Sequence, residues 1–498
     1  MRWVGARLAA SAALSVALLA CGGGSPAQTD GDGEADPGGE PEAETGEPAP
    51  DCAAIPFAPE PAAVDGLDAV PIDVDDLAAT LRFDASAGSP GASASATLRF
   101  RLGPAGGMPF LDLRQTPASV ELDGAPLAAN QVARHDFGRG LDSGFVILAA
   151  ELPPCSEHTL VLDYPLARPD APAAKPITFL SDPDGVYFGF DLSDLEPGRY
   201  LESWLPAGMA WDRHPIHLRV ELVGATDEHL LISNAATQTH SGADGLHAWE
   251  LEFPPSTTAL APLVELLPAS RVTRETGNFA VGGGVEVPYT IFVDTDVTTP
   301  TADIVAELAA LLPEFVARFG PYPHPALTVH VRGGGRSMEY AGAMVSTVAA
   351  LDHELVHAWW ARGTSPARYA DGWIDEGWAT YQTNETDART PLPLDPAAGP
   401  WRIYDAHPFA RETPDVAYAG GRLVFAGLAD LLGVAELDAA MAEIHAAHGP
   451  LASLTTAELE RQLHCASGEN PAVRQIFRRY VYGFDGDPEP LAPGACPP

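Results

Sequence analysis

Positive charge is scarce in this 498-residue chain: 28 Lys and Arg stand against 68 Asp and Glu, a formal charge of −40. So acidic a surface repels phosphate backbones and anionic headgroups, which excludes nucleic acid and anionic lipid surfaces as partners. Long apolar runs are missing as well. No stretch after the first twenty residues is long and apolar enough to span a bilayer. Cysteine is sparse, five in all, and no internal repeat is visible. In excess are proline and glycine, 48 of each, which point to many turns, β-rich regions and at least one linker. With 46% hydrophobic residues and this length, the chain has material for two to four folded units.

The first twenty residues read as an export signal, left out of fold reasoning. Arg2 and Arg7 supply the positive start, and Leu8 to Ala20 the short apolar core. Leu18-Leu19-Ala20-Cys21, followed by three glycines, resembles a bacterial lipobox. The resemblance implies that residues 1–20 are removed and that a lipid on Cys21 is the sole attachment to a membrane. Gly22 after the cysteine, in place of Asp, implies an outer-membrane or cell-surface destination. Residues 21–51 then carry nine acidic side chains and no Lys or Arg, among Gly, Pro and Ala. Such a segment buries too little apolar area to offset its ordering entropy and is expected to be a disordered acidic tether. Without Cys21, four cysteines remain: Cys52, Cys155, Cys465 and Cys496. An even count in an exported protein suggests two disulfides. Three pairings are open, and sequence proximity favours Cys52–Cys155 with Cys465–Cys496.

Residues 52–270 are dominated by short alternating runs broken by Gly, Pro and Asp, such as Ala96 to Leu102 and Ile216 to Leu222. Period two over many short segments predicts an N-terminal antiparallel β-sandwich or saddle. The period lengthens after Thr301. From Thr301 to Phe319 apolar residues recur at 304, 305, 308, 311, 312, 315 and 316, the stripe of an amphipathic helix. A strand is expected at Ala326 to Val331, and helices at Ala350–Ala361, Ile374–Thr383, Ala417–Leu432, Leu437–His448, Thr456–Cys465 and Ala472–Val481. Residues 271–498 thus form a second, mixed α/β domain, and the chain is multidomain α+β.

The chemistry concentrates at His353-Glu354-Leu355-Val356-His357. Residues four apart share a helix face, so both imidazoles can reach one cation. Glu354, one step round, is placed to take a proton from water at that cation. Eighteen residues separate His357 from Glu376, which lies within Trp373 to Tyr381. That spacing is enough for a loop and a returning helix delivering a third, carboxylate ligand. Two His and one carboxylate leave one position of a tetrahedral Zn²⁺ open, the catalytic arrangement. His445 and His448, at helical spacing but with no third ligand, are assigned no metal. Trp359 and Trp360 are expected to be packing residues.

This His-Glu-x-x-His and Trp-x-x-Glu-Gly-x-Ala-x-Tyr pair resembles the aminopeptidase N family of zinc peptidases (gluzincins). Gly335 to Gly342, containing Met338-Glu339-Tyr340, is similar to the family's Gly-x-Met-Glu-Asn motif. Ala417 to Phe425 is similar to its Tyr-x-x-Gly helix. The resemblance implies a thermolysin-like catalytic domain holding one zinc ion on His353, His357 and Glu376. Glu354 would be general base and Tyr418 the oxyanion donor. Glu339 would bind the substrate's free α-ammonium, so that peptides with a free N-terminus are cleaved at their first bond. Trp204-Leu205-Pro206 resembles the segment where the family's two domains meet, and Glu196 falls near a second amine-binding position. Tyr340 and Ser337 depart from the usual residues, and the stretch from Ala341 to Asp352 is shorter than usual. Two other readings stay open: an endopeptidase or other small-substrate hydrolase on the same zinc, and a zinc-stabilised surface binding module without turnover.

Overall fold

A computed structural model describes residues 52–498, apart from 87–90, 167–178, 183–184, 191, 210, 243–244, 385–387, 395–399, 450, 492–493 and 497–498. The export signal, Cys21 and the acidic tether lie outside the described residues. Among the described residues no helix is long and apolar enough to cross a membrane.

Long strands at Leu67–Asp84, Gly91–Leu102, Glu157–Pro165, Ile216–Val223 and His247–Phe253 build a large curled sheet, twelve strands in all. Alternation places Leu77, Leu81, Phe83, Leu98, Phe100, Leu160, Leu218 and Val220 in the core and charged partners outside. A four-stranded sheet of Phe179–Asp182, Gly185–Gly189, Val264–Pro268 and His229–Ser233 lies against it. Phe83 of the large sheet meets Phe188 of the small one at 4.7 Å between ring centroids, and Phe188 meets Trp204 at 4.6 Å. The large sheet is mixed rather than purely antiparallel. Ile216–Val223 runs parallel to Leu67–Asp84, as does Met108–Leu111. Period-two alternation reports which face is buried but not the direction of a neighbour, so the sequence could not show this.

The second half holds a five-stranded sheet in the order Val272–Gly282, Val285–Asp294, Leu327–Val331, Ala343–Ser346 and Met338–Tyr340. Its three middle strands are parallel, and the edge strand Met338–Tyr340 is antiparallel to its neighbour. The helices are α1 (Thr301–Phe319), α2 (Leu351–Val356), α3 (Trp373–Thr383), α4 (Val416–Leu432), α5 (Val434–His448), α6 (Thr456–Ala466) and α7 (Pro471–Ile476). α1 buries Ile304, Leu308, Leu312, Phe315 and Phe319, the face its sequence pattern marks out. The helix expected over 350–361 is α2 alone. Beyond it the chain turns, and Ala361 adopts φ +133, outside any helical region.

Two disulfides close the ends of this body, Cys52–Cys155 and Cys465–Cys496. The first spans 103 residues. Replacing Cys52 and Cys155 together by Ser releases that much chain entropy in the unfolded state, an expected loss of about 4 kcal/mol on urea unfolding.

Candidate active site

The edge strand Met338–Tyr340 alternates: Met338 and Tyr340 join the core of the N-terminal half, leaving Glu339 to face α2. Tyr340 donates from its hydroxyl to the Phe190 carbonyl at 2.9 Å, and Ser337 Oγ accepts from the Thr347 amide. The two departures from the family motif thus bind this strand to its surroundings.

On α2, His353 and His357 project from one face. Their Nε2 atoms are 3.3 Å apart, and Glu376 Oε2, arriving on α3, lies 3.4 Å from the first and 3.6 Å from the second. Ligand atoms on a tetrahedral zinc, each about 2.0–2.1 Å from the ion, sit roughly 3.3 Å from one another. The triangle therefore matches zinc in size. Donor chemistry agrees. Nδ1 of His357 donates to the Trp360 carbonyl at 3.0 Å, which can only accept, and this fixes the ring with Nε2 turned toward the triangle. Nδ1 of His353 faces Thr383 Oγ1 at 3.4 Å, whose own proton goes to the Ala379 carbonyl. Glu376 Oε2 is buried with no hydrogen-bond partner. A buried carboxylate oxygen is rarely left so, and a cation is what it lacks. Burial pushes the Glu376 carboxyl up, but His357 and His353 outweigh it and hold it well below the usual range. The residues fit a zinc ion.

A tight crossing of α3 and α4 brings Tyr418 in. A Cβ on Gly377 would lie 2.6 Å from the Gly421 Cα, so glycine at both positions lets the backbones touch. Glu376 precedes one of these glycines, and Tyr418 stands one turn before the other. The Tyr418 ring stacks parallel to that of His353 at 6.2 Å, and its hydroxyl interacts with Glu376. Burial, then Glu376, pushes that hydroxyl's pKa far up, so it is a donor at any working pH. Glu354 is buried between Glu339 and Glu376 and raised first by that burial, then by Glu339.

Glu339 is held by Arg362, whose Nη2 donates to Oε1 at 2.7 Å. Glu196 lies apart from the cluster, bridging Arg336 at 2.8 Å and Arg199 at 3.2 Å, as an ordinary partly exposed ion-pair partner. Its neighbour Asp194 is the acid that senses Glu376, Glu339 and Asp375, and burial first, then these charges, raises its pKa strongly. The resemblance aligns this loop only loosely and points to a Glu or Gln, so no sequence signal marks Asp194. Asp375, whose carboxylate lies with Glu339 and His357 within 4.8 Å, was likewise missed, as was Arg362. His445 accepts from or donates to Thr364 Oγ1 and abuts Trp360, and His448 meets the Ile444 carbonyl, so both are satisfied without metal.

No family model and no curated protein matches this sequence. Solved structures do. A Deinococcus radiodurans M1 zinc metallopeptidase superposes with a TM-score of 0.58 at 20% identity, over 86% of this chain and 97% of that one. This chain has the fold of the M1 zinc metallopeptidases. A variant of that enzyme bound to a Tyr-Ser-Ala substrate matches with a TM-score of 0.57 at 20% identity, over 84% and 97% of the two chains. Legionella pneumophila aminopeptidase A, in complex with aspartic acid, matches at 0.61 and 13% identity. There the match covers 83% of this chain but 50% of that larger chain.

Proposed function

We propose that this protein is a zinc peptidase that releases residues from the N-termini of peptides, in a thermolysin-like catalytic domain carried on an exported, Cys21-anchored lipoprotein at the outer membrane or cell surface. The observation that carries the reading is the zinc-sized triangle of His353, His357 and Glu376 with Glu354 and Tyr418 beside it. The peptide bound to the M1 zinc metallopeptidase and the aspartic acid bound to the aminopeptidase A of like fold support the substrate class.

His353, His357 and Glu376 would hold the ion, which when bound supplies Lewis acidity to a scissile carbonyl and to water. Glu354, dry and adjacent, takes a proton from the attacking water and delivers it to the departing amine. Tyr418 donates its hydroxyl hydrogen bond to the carbonyl oxygen as negative charge develops there. Glu339, Asp194 and Asp375 crowd carboxyl groups into the neighbouring wall, and a substrate ammonium would relieve the burial and mutual repulsion that raise Asp194 and Asp375.

Purified protein should contain about one zinc per chain, and should trim short peptides one residue at a time, read by mass spectrometry. Chelation should abolish the trimming and zinc restore it. Protein that binds zinc yet trims nothing would favour a binding module instead. Tyr418→Phe should lower kcat about 10²-fold with KM little changed, because its hydrogen bond is made to charge absent from the ground state.

A further inference from the structure

Arg362 is the cation in a pocket of acids. It is buried and spends three donor directions close by: Nη2 on the Glu339 carboxylate at 2.7 Å, Nε on the Glu339 carbonyl at 3.4 Å, and Nη1 on the Ala361 carbonyl at 3.4 Å. Its backbone is fixed too. The Arg362 amide donates to the His357 carbonyl at 3.0 Å, and Thr364 donates to the Trp359 carbonyl. Between them Ala361 is kept at φ +133, a conformation that L-residues rarely adopt and that only a tightly determined turn sustains. The guanidinium is therefore built into the wall beside the proposed amine-binding carboxylate.

We infer that Arg362 is a specificity-determining positioning residue: by pairing permanently with Glu339, it lets the site accept peptides whose N-terminus is acylated as well as those with a free ammonium. The inference rests on the aminopeptidase reading above. A buried anchor carboxylate with no protein partner rejects a neutral N-terminus, since binding it would strand the charge away from water. Here one carboxylate oxygen already has a cation, so an uncharged N-acyl group strands little. The free ammonium gains less for the same reason, because it shares Glu339 with a charge that cannot leave.

The test compares leucine and N-acetyl-leucine fluorogenic amides, and Arg362→Gln and Arg362→Lys, in the zinc-loaded full chain. For the unaltered protein kcat/KM for the two substrates should agree within about ten-fold. Arg362→Gln should move the ratio toward the free amine by roughly ten-fold or more, and Arg362→Lys, which keeps the charge, should leave it within about three-fold. A ratio is insensitive to a general loss of active protein. Discrimination beyond about 100-fold in the unaltered protein, or an unchanged ratio in Arg362→Gln, overturns the inference. If neither substrate is cleaved, the aminopeptidase reading fails, and binding decides the inference. Similar thermal protection of Glu354→Gln by leucinamide and N-acetyl-leucinamide would support it, and protection by leucinamide alone would overturn it.

Discussion

Glu354→Gln should lose turnover by about 10³-fold or more while zinc content stays near one per chain. The substitution preserves shape and removes only the basic oxygen. Glu354 is on the face of α2 next to the two imidazoles but is not one of the three groups forming the zinc-sized triangle. Metal affinity should therefore barely change. Position matters here more than intrinsic basicity. The carboxyl group is buried among Glu339, Glu376 and His357, beside the imidazoles that would hold the ion. Metal analysis beside steady-state rates separates the outcomes. Loss of both zinc and activity would mean that Glu354 supports the ligands, and an undiminished rate would remove it from the role of base.

The legible parts of this site were those written in short-range periodicity. His353 and His357 share a helix face at a fixed offset, so their convergence follows from helical geometry. Glu376 needed only a loop long enough to return, and α1 could be read residue by residue from its stripe. The illegible parts depend on contacts between segments far apart in sequence. Arg362 finds Glu339 across 23 residues because the chain leaves the helix at Ala361, and nothing in Trp359-Trp360-Ala361-Arg362 signals a positive φ there. Asp194 reaches the site through a loop of the N-terminal half, more than 140 residues from Glu339 in sequence. Neither periodicity nor motif spacing carries that information. The closeness of Tyr418 to Glu376 was implied by family resemblance, yet its physical cause is the Gly377–Gly421 crossing.

Cutting the charge cluster that joins the two halves should destabilise the protein by about 3–5 kcal/mol, through Glu265→Gln. Glu265, on Val264–Pro268 of the N-terminal half, pairs with His330 of Leu327–Val331 at 2.5 Å and with Arg332. His330 also reaches Asp294 at 3.0 Å, and both His330 and Glu265 are about fully buried. Burial pushes the imidazole down, but Glu265 and Asp294 outweigh it and raise His330 to about 9. Burial likewise raises Glu265, but Arg332 and His330 bring it to about 2. The two shifts describe one interaction seen from both ends and are not added. Since the His330 value lies above that of an unfolded histidine near 6.5, its stabilisation is whole below about pH 6.5 and disappears as pH rises through about 9. Glu265 contributes in the opposite sense: its share is present above about pH 4.5 and is lost as pH falls through about 2. Urea unfolding should therefore show a loss of about 2–3 kcal/mol between pH 6 and pH 9.5 in the unaltered protein. Glu265→Gln takes the shared carboxylate from Arg332 and leaves His330 with Asp294 alone, so it should start lower at pH 6 and fall much less by pH 9.5. Parallel pH curves for the two proteins would mean that the buried His330–Glu265 pair is tolerated rather than used.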